Sequence, residues 1–459
     1  MMGEKVEYWP RLMKPVEDDT LDEFIRAMDK VLCDSNYGLP LSIYSQTCTG
    51  CLRCSRECQV FQETGDFKDT PHFRTEEIIR LYREFFLPES NGNSILHRSS
   101  TMEERKQFNL KDLIESLYRC TLCRRCTESC PMGIDHRLVA RFGRQVLSEM
   151  GLVPQNMGKS TLEQIFGIGN TSAFPKAAIV DTLDFLEEDI YDTYGVKCTI
   201  PRDKQNADYL MLAPVSDYMM EAETLMGISM VLDRMGVDWT VSTEYCDAIN
   251  YGLFYDDRVL MSVLDKIIQE ARRLKVKTVI IGECGHATRA ALGYWKSHLH
   301  AGGIEVKSIL QVTSEAIQQG VVSPKREKNP ERIVLHDPCN IVRGCGIFKP
   351  QREILEACSM EYVEMRPNGR YNYCCGGGGG IVITEDQEKF RLEVPGKVKA
   401  KQIAESNAEI VCAPCANCKK MLREVVDYYK LPVSVVGIHD LMAKALSEEK
   451  PSHIETAVA

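Results

Sequence analysis

From residue 206 onward, short apolar runs alternate with longer stretches of helical character. ADYLMLAP, VKTVIIGE, ERIVLHDP and AEIVCAP each read as a buried strand that ends at a loop, with a helix after it. This alternation predicts α/β architecture. Before residue 150 the character is helical instead, in LDEFIRAMDKVL, TEEIIRLYREFF, NLKDLIESLY and HRLVARFGRQVLSEM. Asp19 or Thr20 is expected to cap the first of these helices and Thr75 the second. Residues 151–205 mix Gly, Pro and acidic positions and read as a linker that wraps the domains.

The α/β part repeats itself. ADYLMLAPVSDY matches ERIVLHDPCNIV, VKTVIIGECGHATRA matches AEIVCAPCANCKKML, and IEVKSILQVTSEAI matches VSVVGIHDLMAKAL. The expected organisation is therefore a helical arm (1–40), a helical domain (41–150), the linker (151–205), two tandem α/β modules (206–320 and 328–447) and a tail (448–459). Duplicated modules commonly share a site at their interface, with one loop from each half.

Composition changes this picture at one point. The chain has 459 residues, 44% of them hydrophobic, and a net charge of −10, an ordinary acidic surface unlike that of a general nucleic-acid binder. It has no run of the roughly 20 apolar residues that a membrane span needs. Its N-terminus, MMGEKVEYWPRLMKPVEDD, is unlike a secretion signal. A cytoplasmic protein is expected, with any membrane link made through a partner. The unusual number is 20 cysteines, most of them in tight groups. A chain this long needs no disulfide staples, so grouped cysteines point to metal or redox chemistry.

Cys48, Cys51, Cys54 and Cys58 form C-x2-C-x2-C-x3-C, and Cys120, Cys123, Cys126 and Cys130 repeat the spacing, followed by Pro131. Three cysteines two residues apart can cap three corners of a [4Fe–4S] cubane, and in two-cluster proteins the fourth ligates the other cluster. The expected sets are Cys48, Cys51, Cys54 and Cys130 for one cubane, and Cys120, Cys123, Cys126 and Cys58 for the other. Structural zinc normally uses two pairs separated by a longer loop. Gln59 stands after Cys58, where a proline is usual. Two thiolate-capped cubanes carry electrons and do no substrate chemistry, so the chemistry must sit elsewhere.

The second α/β module carries Cys339 in HDPCNIVRGCG, Cys374–Cys375 in YCCGGGGG, and Cys412, Cys415 and Cys418 in CAPCANC. Each group falls where a strand should end, at the edge where open α/β sheets hold ligands. The glycines are expected to offer N–H groups to the sulfurs. They lack the G-x4-G-K-[ST] form of a phosphate loop. This pattern resembles the CCG cysteine-rich module of heterodisulfide reductases. The joined architecture, α+β multidomain with a helical two-cluster ferredoxin domain followed by two tandem α/β CCG-type modules, resembles the HdrD-type iron–sulfur proteins of heterodisulfide reductases and the related DsrK and HmcF types.

The resemblance implies a non-cubane [4Fe–4S] cluster at which a disulfide is reductively cleaved. Its ligands would be Cys339, Cys374, Cys375 and two cysteines of CAPCANC. The usual spacing favours Cys412 and Cys415. The repeat, which aligns Cys284 with Cys415, favours Cys415 and Cys418, and this pair is preferred. The first module has Val215, Cys246 and Cys284 at the matching places, too few thiols for a second such cluster. The resemblance further implies a membrane haem-b quinol-interacting subunit or a flavoprotein as electron donor, and a small-molecule or small-protein disulfide as substrate. An alternative is an iron–sulfur conduit of a flavin-dependent glycolate, lactate or glycerol-3-phosphate dehydrogenase.

Outside the ligands, GECGHA is the sharpest feature. Pseudo-symmetric packing would point Glu283, Cys284 and His286 at the cluster, and a histidine with a near-neutral pKa suits proton delivery. The competing reading makes His286 a helix cap and Cys284 a buried small residue. Arg343 is a candidate for binding an anionic substrate tail or for a surface salt bridge. Cys33, Cys198, Cys345 and Cys358 read as packing residues.

Overall fold

Five longer helices, with short ones between them, build the N-terminal part of the computed structural model, which describes residues 10–16, 21–87, 108–299 and 303–449. They are Leu21–Cys33, Gly38–Thr47, Pro71–Phe86, Leu110–Arg119 and His136–Glu149. The first buries Leu21, Phe24, Met28 and Val31 along one face, the 3–4 spacing of an amphipathic helix, against the His136–Glu149 helix. Asp19 and Thr20 lie outside the described residues. The expected cap at Thr75 is corrected: the cap is Thr70, five residues earlier, whose Oγ1 accepts the Phe73 N–H at 3.0 Å, and Pro71 opens the first turn. Thr75 is inside the helix, with its hydroxyl 2.8 Å from His136 Nδ1.

Residues 151–205 hold more order than a linker. Helices Gln155–Phe166 and Lys176–Tyr194 pack on the α/β part, the first against helix Asp257–Leu274 and the second against helix Ala222–Arg234.

The α/β part contains two four-stranded parallel sheets. One comprises β1 (Tyr209–Leu212), β2 (Trp239–Thr240), β3 (Thr278–Ile281) and β4 (Glu305–Ser308), in the order β2-β1-β3-β4. The other comprises β5 (Arg332–Leu335), β6 (Glu361–Glu364), β7 (Ile410–Cys412) and β8 (Ser434–Val436), in the equivalent order β6-β5-β7-β8. The central strands are the apolar runs of the sequence pattern, and β3 is buried along its whole length, as a parallel strand covered on both faces should be.

The modules pack with a pseudo-twofold relation. Helix Ala222–Arg234 of the first lies on helix Ile438–Ala445 of the second, while Pro350–Cys358 of the second lies on Ile309–Gln318 of the first. Gly227 permits the first contact, because a Cβ there would stand 1.9 Å from His439 O. Helix Gly285–Leu299 of the first module also packs along helix Cys339–Cys345 of the second. The two halves therefore meet at the ends of β3, β5 and β7, where the cysteine loops begin.

Candidate metal centres

Both ferredoxin motifs fold by the same local rule. Leu52 and Arg124 take left-handed backbone conformations, with φ of 57° and 69°, and short helices Arg53–Arg56 and Arg125–Glu128 follow them. Cys58 and Cys130 then close equivalent turns, donating to Ser55 O and Thr127 O at 3.1 Å. The short helices pack on each other, so each motif delivers its last cysteine to the other's loop. Cys48, Cys51, Cys54 and Cys130 line one cavity with Pro131 and His136. Cys58, Cys120, Cys123 and Cys126 line a second with Arg74 and His136. Each cavity thus presents four thiols, the donor set of a [4Fe–4S] cluster. Burial pushes the Cys58 thiol up to about 11 and Cys126 well above its ordinary value, so a metal would have to displace protons there.

A third group forms at the module interface. The Cys374 thiol lies beside those of Cys339, Cys375 and Cys123, that of Cys375 beside Cys418, and that of Cys418 beside Cys415. Cys339, Cys374, Cys375, Cys415 and Cys418 are all buried. Cys412 is apart from them: it ends β7, and its electrostatic neighbours are Glu283, Cys358, Asp440 and Lys419. The repeat explains this placement. Cys284 and Cys415 occupy the same turn, each N–H donating two residues back, to Gly282 O at 2.6 Å and to Ala413 O at 2.7 Å. Backbone N–H groups of Gly376 and Gly285 reach Cys374 Sγ at 3.5 Å and Cys415 Sγ at 3.3 Å.

The glycine run has a second reason. A Cβ on Gly378 would be 2.3 Å from Thr121 O, and one on Gly379 would be 2.7 Å from Cys120 O. Only glycines let the CCG loop lie directly on the second ferredoxin loop. Three side chains lock that seam. Gln59 pairs with both backbone groups of Cys374, accepting its N–H at 2.8 Å and donating to its C=O at 3.2 Å. Arg144 donates to Gly379 O at 2.6 Å and to Cys120 O at 2.7 Å. Arg343 donates to Cys123 O at 2.6 Å, Asn372 O at 2.8 Å and Arg370 O at 3.0 Å.

Four sequence expectations change. Arg343 is not a surface residue: it is buried, with Nε and Nη1 on carbonyls and Nη2 without a hydrogen-bond partner. Glu283 turns away from the thiols, and its carboxylate accepts the His439 N–H at 2.7 Å and lies 2.6 Å from His439 Nδ1. Cys284 and His286 do face the interface together, with Cys284 Sγ 3.3 Å from His286 Nδ1 and Asn417 Nδ2 also 3.3 Å from that nitrogen. Burial between Tyr251 and Phe254, however, lowers the His286 pKa to about 3, so the ring is neutral at pH 7. Cys33 is exposed and Cys345 is half-buried, whereas Cys198 and Cys358 are buried packing residues.

Sequence reasoning missed His336 and Lys399. A ring nitrogen of His336 lies within 4.8 Å of both Cys375 Sγ and Cys418 Sγ. Lys399 Nζ is 3.2 Å from His336 Nδ1 and from Asn372 Oδ1. Burial lowers the Lys399 pKa to about 7, despite the raising effect of Cys375, Cys374 and Cys418. The one available signal was the position of His336 at the end of β5, three residues before Cys339.

Known proteins share this arrangement of motifs. Residues 44–134 match the family model of a 4Fe-4S dicluster domain, and residues 333–423 match that of the cysteine-rich CCG domain. The second iron-sulfur subunit of an Hdr-like menaquinol oxidoreductase of Archaeoglobus fulgidus is 27% identical, over 92% of this chain and 83% of its own. A dihydromethanophenazine:CoB–CoM heterodisulfide reductase polypeptide of Methanosarcina barkeri is 23% identical, over 87% of this chain and 93% of its own. An EtfAB:quinone oxidoreductase of Syntrophomonas wolfei is 20% identical, over 83% of this chain and 55% of its own. Among the described residues no helix is long and apolar enough to cross a membrane. The chain thus joins a 4Fe-4S dicluster domain to a cysteine-rich CCG domain, and over most of its length it is similar to iron–sulfur subunits of Hdr-like oxidoreductases.

Proposed function

We propose that the chain is the electron-transfer and catalytic subunit of an Hdr-like complex. Cys48, Cys51, Cys54 and Cys130 would hold one cubane, and Cys58, Cys120, Cys123 and Cys126 the next. Cys339, Cys374, Cys375, Cys415 and Cys418 would hold a non-cubane [4Fe–4S] cluster at which a disulfide-type substrate is reduced. The observation that supports this reading is the close approach of the Cys123 and Cys374 thiols, which sets the second and third groups side by side. Bound iron–sulfur clusters supply one-electron transfer along such a line.

The chain's own residues do the rest. Gln59, Arg144 and Arg343 hold the two loops in register, while Gly376 and Gly285 donate to sulfurs and so help set their potentials. Cys284 and His286 wall the five thiols on the side of the first module. The overall change is one disulfide, two electrons and two protons giving two thiols. The electrons come from a membrane haem-b quinol-interacting subunit or a flavoprotein.

Adding a small thiol to the oxidised, iron-loaded protein should produce a new paramagnetic signal that Cys375→Ser removes. Absence of that signal sinks the reductase reading. The likeness to an EtfAB:quinone oxidoreductase favours a second reading, a conduit fed by a flavoprotein. In that case a reduced flavoprotein reduces the chain, but a disulfide does not reoxidise it.

A further inference from the structure

His136 stands where the two ferredoxin motifs meet. It is the first residue of helix His136–Glu149, and Asp135 fixes that helix start by accepting from the backbone N–H groups of Arg137 and Leu138 at 3.1 and 3.3 Å. It is 3% exposed. Among the described residues it alone lines both the cavity of Cys48, Cys51, Cys54 and Cys130 and that of Cys58, Cys120, Cys123 and Cys126.

The two ring nitrogens have different surroundings. Nδ1 lies 2.8 Å from Thr75 Oγ1, on the helix Pro71–Phe86 that packs alongside. Nε2 is sealed from solvent and has no hydrogen-bond partner in the protein. Buried ring nitrogens are nearly always paired, so this one calls for an explanation.

The hydrogen-bond network assigns the tautomer. If Nδ1 carried the proton and gave it to Thr75, two groups would be stranded, the hydroxyl hydrogen of Thr75 and the lone pair of Nε2. With the hydroxyl donating to Nδ1, only the Nε2–H is left over. A lone pair facing cavities lined by sulfur would also be repelled, whereas an N–H is attracted. The chain therefore holds a buried donor without an acceptor at the wall that its two ferredoxin cavities share.

We propose that the Nε2–H of His136 donates to an inorganic sulfur of the [4Fe–4S] cluster in one of the two cavities and so sets the difference in potential between them. A hydrogen bond to sulfur favours the more negative, reduced form and raises the potential of the cluster that receives it. Thr75 is the positioning residue, because its hydroxyl holds the ring in the donating tautomer. The inference rests on the two-cubane assignment made above and not on disulfide reduction.

The test uses the full chain loaded with its clusters, in redox titrations followed by electron paramagnetic resonance. His136→Leu should lower the potential of one cubane so that its reduced-to-oxidised ratio at a fixed potential falls about tenfold, or about 59 mV for one electron, while the other moves less. His136→Gln, which carries an amide N–H of similar reach, should recover part of that shift. Thr75→Val should lower the same potential by a smaller amount, since nothing then fixes the tautomer. In wild type with isotopically labelled histidine, pulsed resonance of the reduced protein should show a histidine nitrogen coupled to that cluster, and His136→Gln should remove the coupling.

Unchanged potentials in both His136 variants overturn the proposal, as does an equal fall of both cubanes, the mark of a general change in surroundings. It is also overturned by a wild-type spectrum without histidine coupling, or by a coupling that survives in His136→Gln and so belongs to His72 at the edge of the first cavity. The wild-type spectrum decides even where the leucine variant takes up no iron. Absence of the two cubane signals from wild type would instead sink the cluster assignment itself.

Discussion

Gln59 pairs through its carboxamide with both backbone groups of Cys374, a residue 315 positions away. Removing it would strand a buried N–H and a buried C=O, each costing roughly 1–3 kcal/mol. Gln59→Leu should therefore lower stability by about 2–5 kcal/mol in urea unfolding of the loaded protein; an unchanged midpoint would mean that the pairing is not made. At the residue scale the sequence was partly legible. It marked Gln59 as a departure from the usual proline, but spacing has no means of showing a partner so distant. His136 gives a pH prediction. Burial first, then the charge of Arg74, lowers its pKa from 6.5 to about 4. As pH falls below 6.5 the unfolded chain takes the proton before the folded one, so stability is full above that value and is lost toward pH 4. Wild type should lose about 2 kcal/mol between pH 7 and pH 5 through this group, and His136→Gln should lose correspondingly less. Equal pH dependence in the two proteins would contradict the burial argument.

Among the elements, the strands that carry the site were readable because a parallel strand covered on both faces has to be a short apolar run. The repeat then aligned Cys284 with Cys415, and both do occupy the same turn. Helix limits were less legible. Thr75 looked like a cap because a helical pattern follows it, but Thr70 takes that role five residues earlier, with Pro71 opening the first turn. The close approach of helices Ala222–Arg234 and Ile438–Ala445 was hidden as well, since a glycine in a helix does not announce what it faces. Gly227→Ala should destabilise by about 1–3 kcal/mol or more, because its Cβ meets a carbonyl of the other module. Gly293→Ala, in a helix with open space around it, should stabilise by about 0.5–1 kcal/mol. Thermal melts of the two variants check the pair. If both shift in the same direction, the two modules do not pack through these helices.

Across the whole molecule the thiols form a graded line. Cys51 of the first group is exposed, the second group is half-buried, and the third is buried between the modules. A donor would meet the first group and a substrate the third. The glycine run, read from the sequence as tuning sulfurs, also brings the second and third groups together. That use was illegible because it depends on the backbone of a loop some 250 residues earlier. The central claim is that three separate thiol groups hold iron, the last through Cys339, Cys374, Cys375, Cys415 and Cys418 without Cys412. Iron analysis of the anaerobically purified chain and two variants tests it most directly. Wild type and Cys412→Ser should each hold about 12 irons per chain, and Cys418→Ser should fall toward about 8 with both cubane spectra intact. About 8 irons in wild type, or loss of iron in Cys412→Ser with retention in Cys418→Ser, would contradict it.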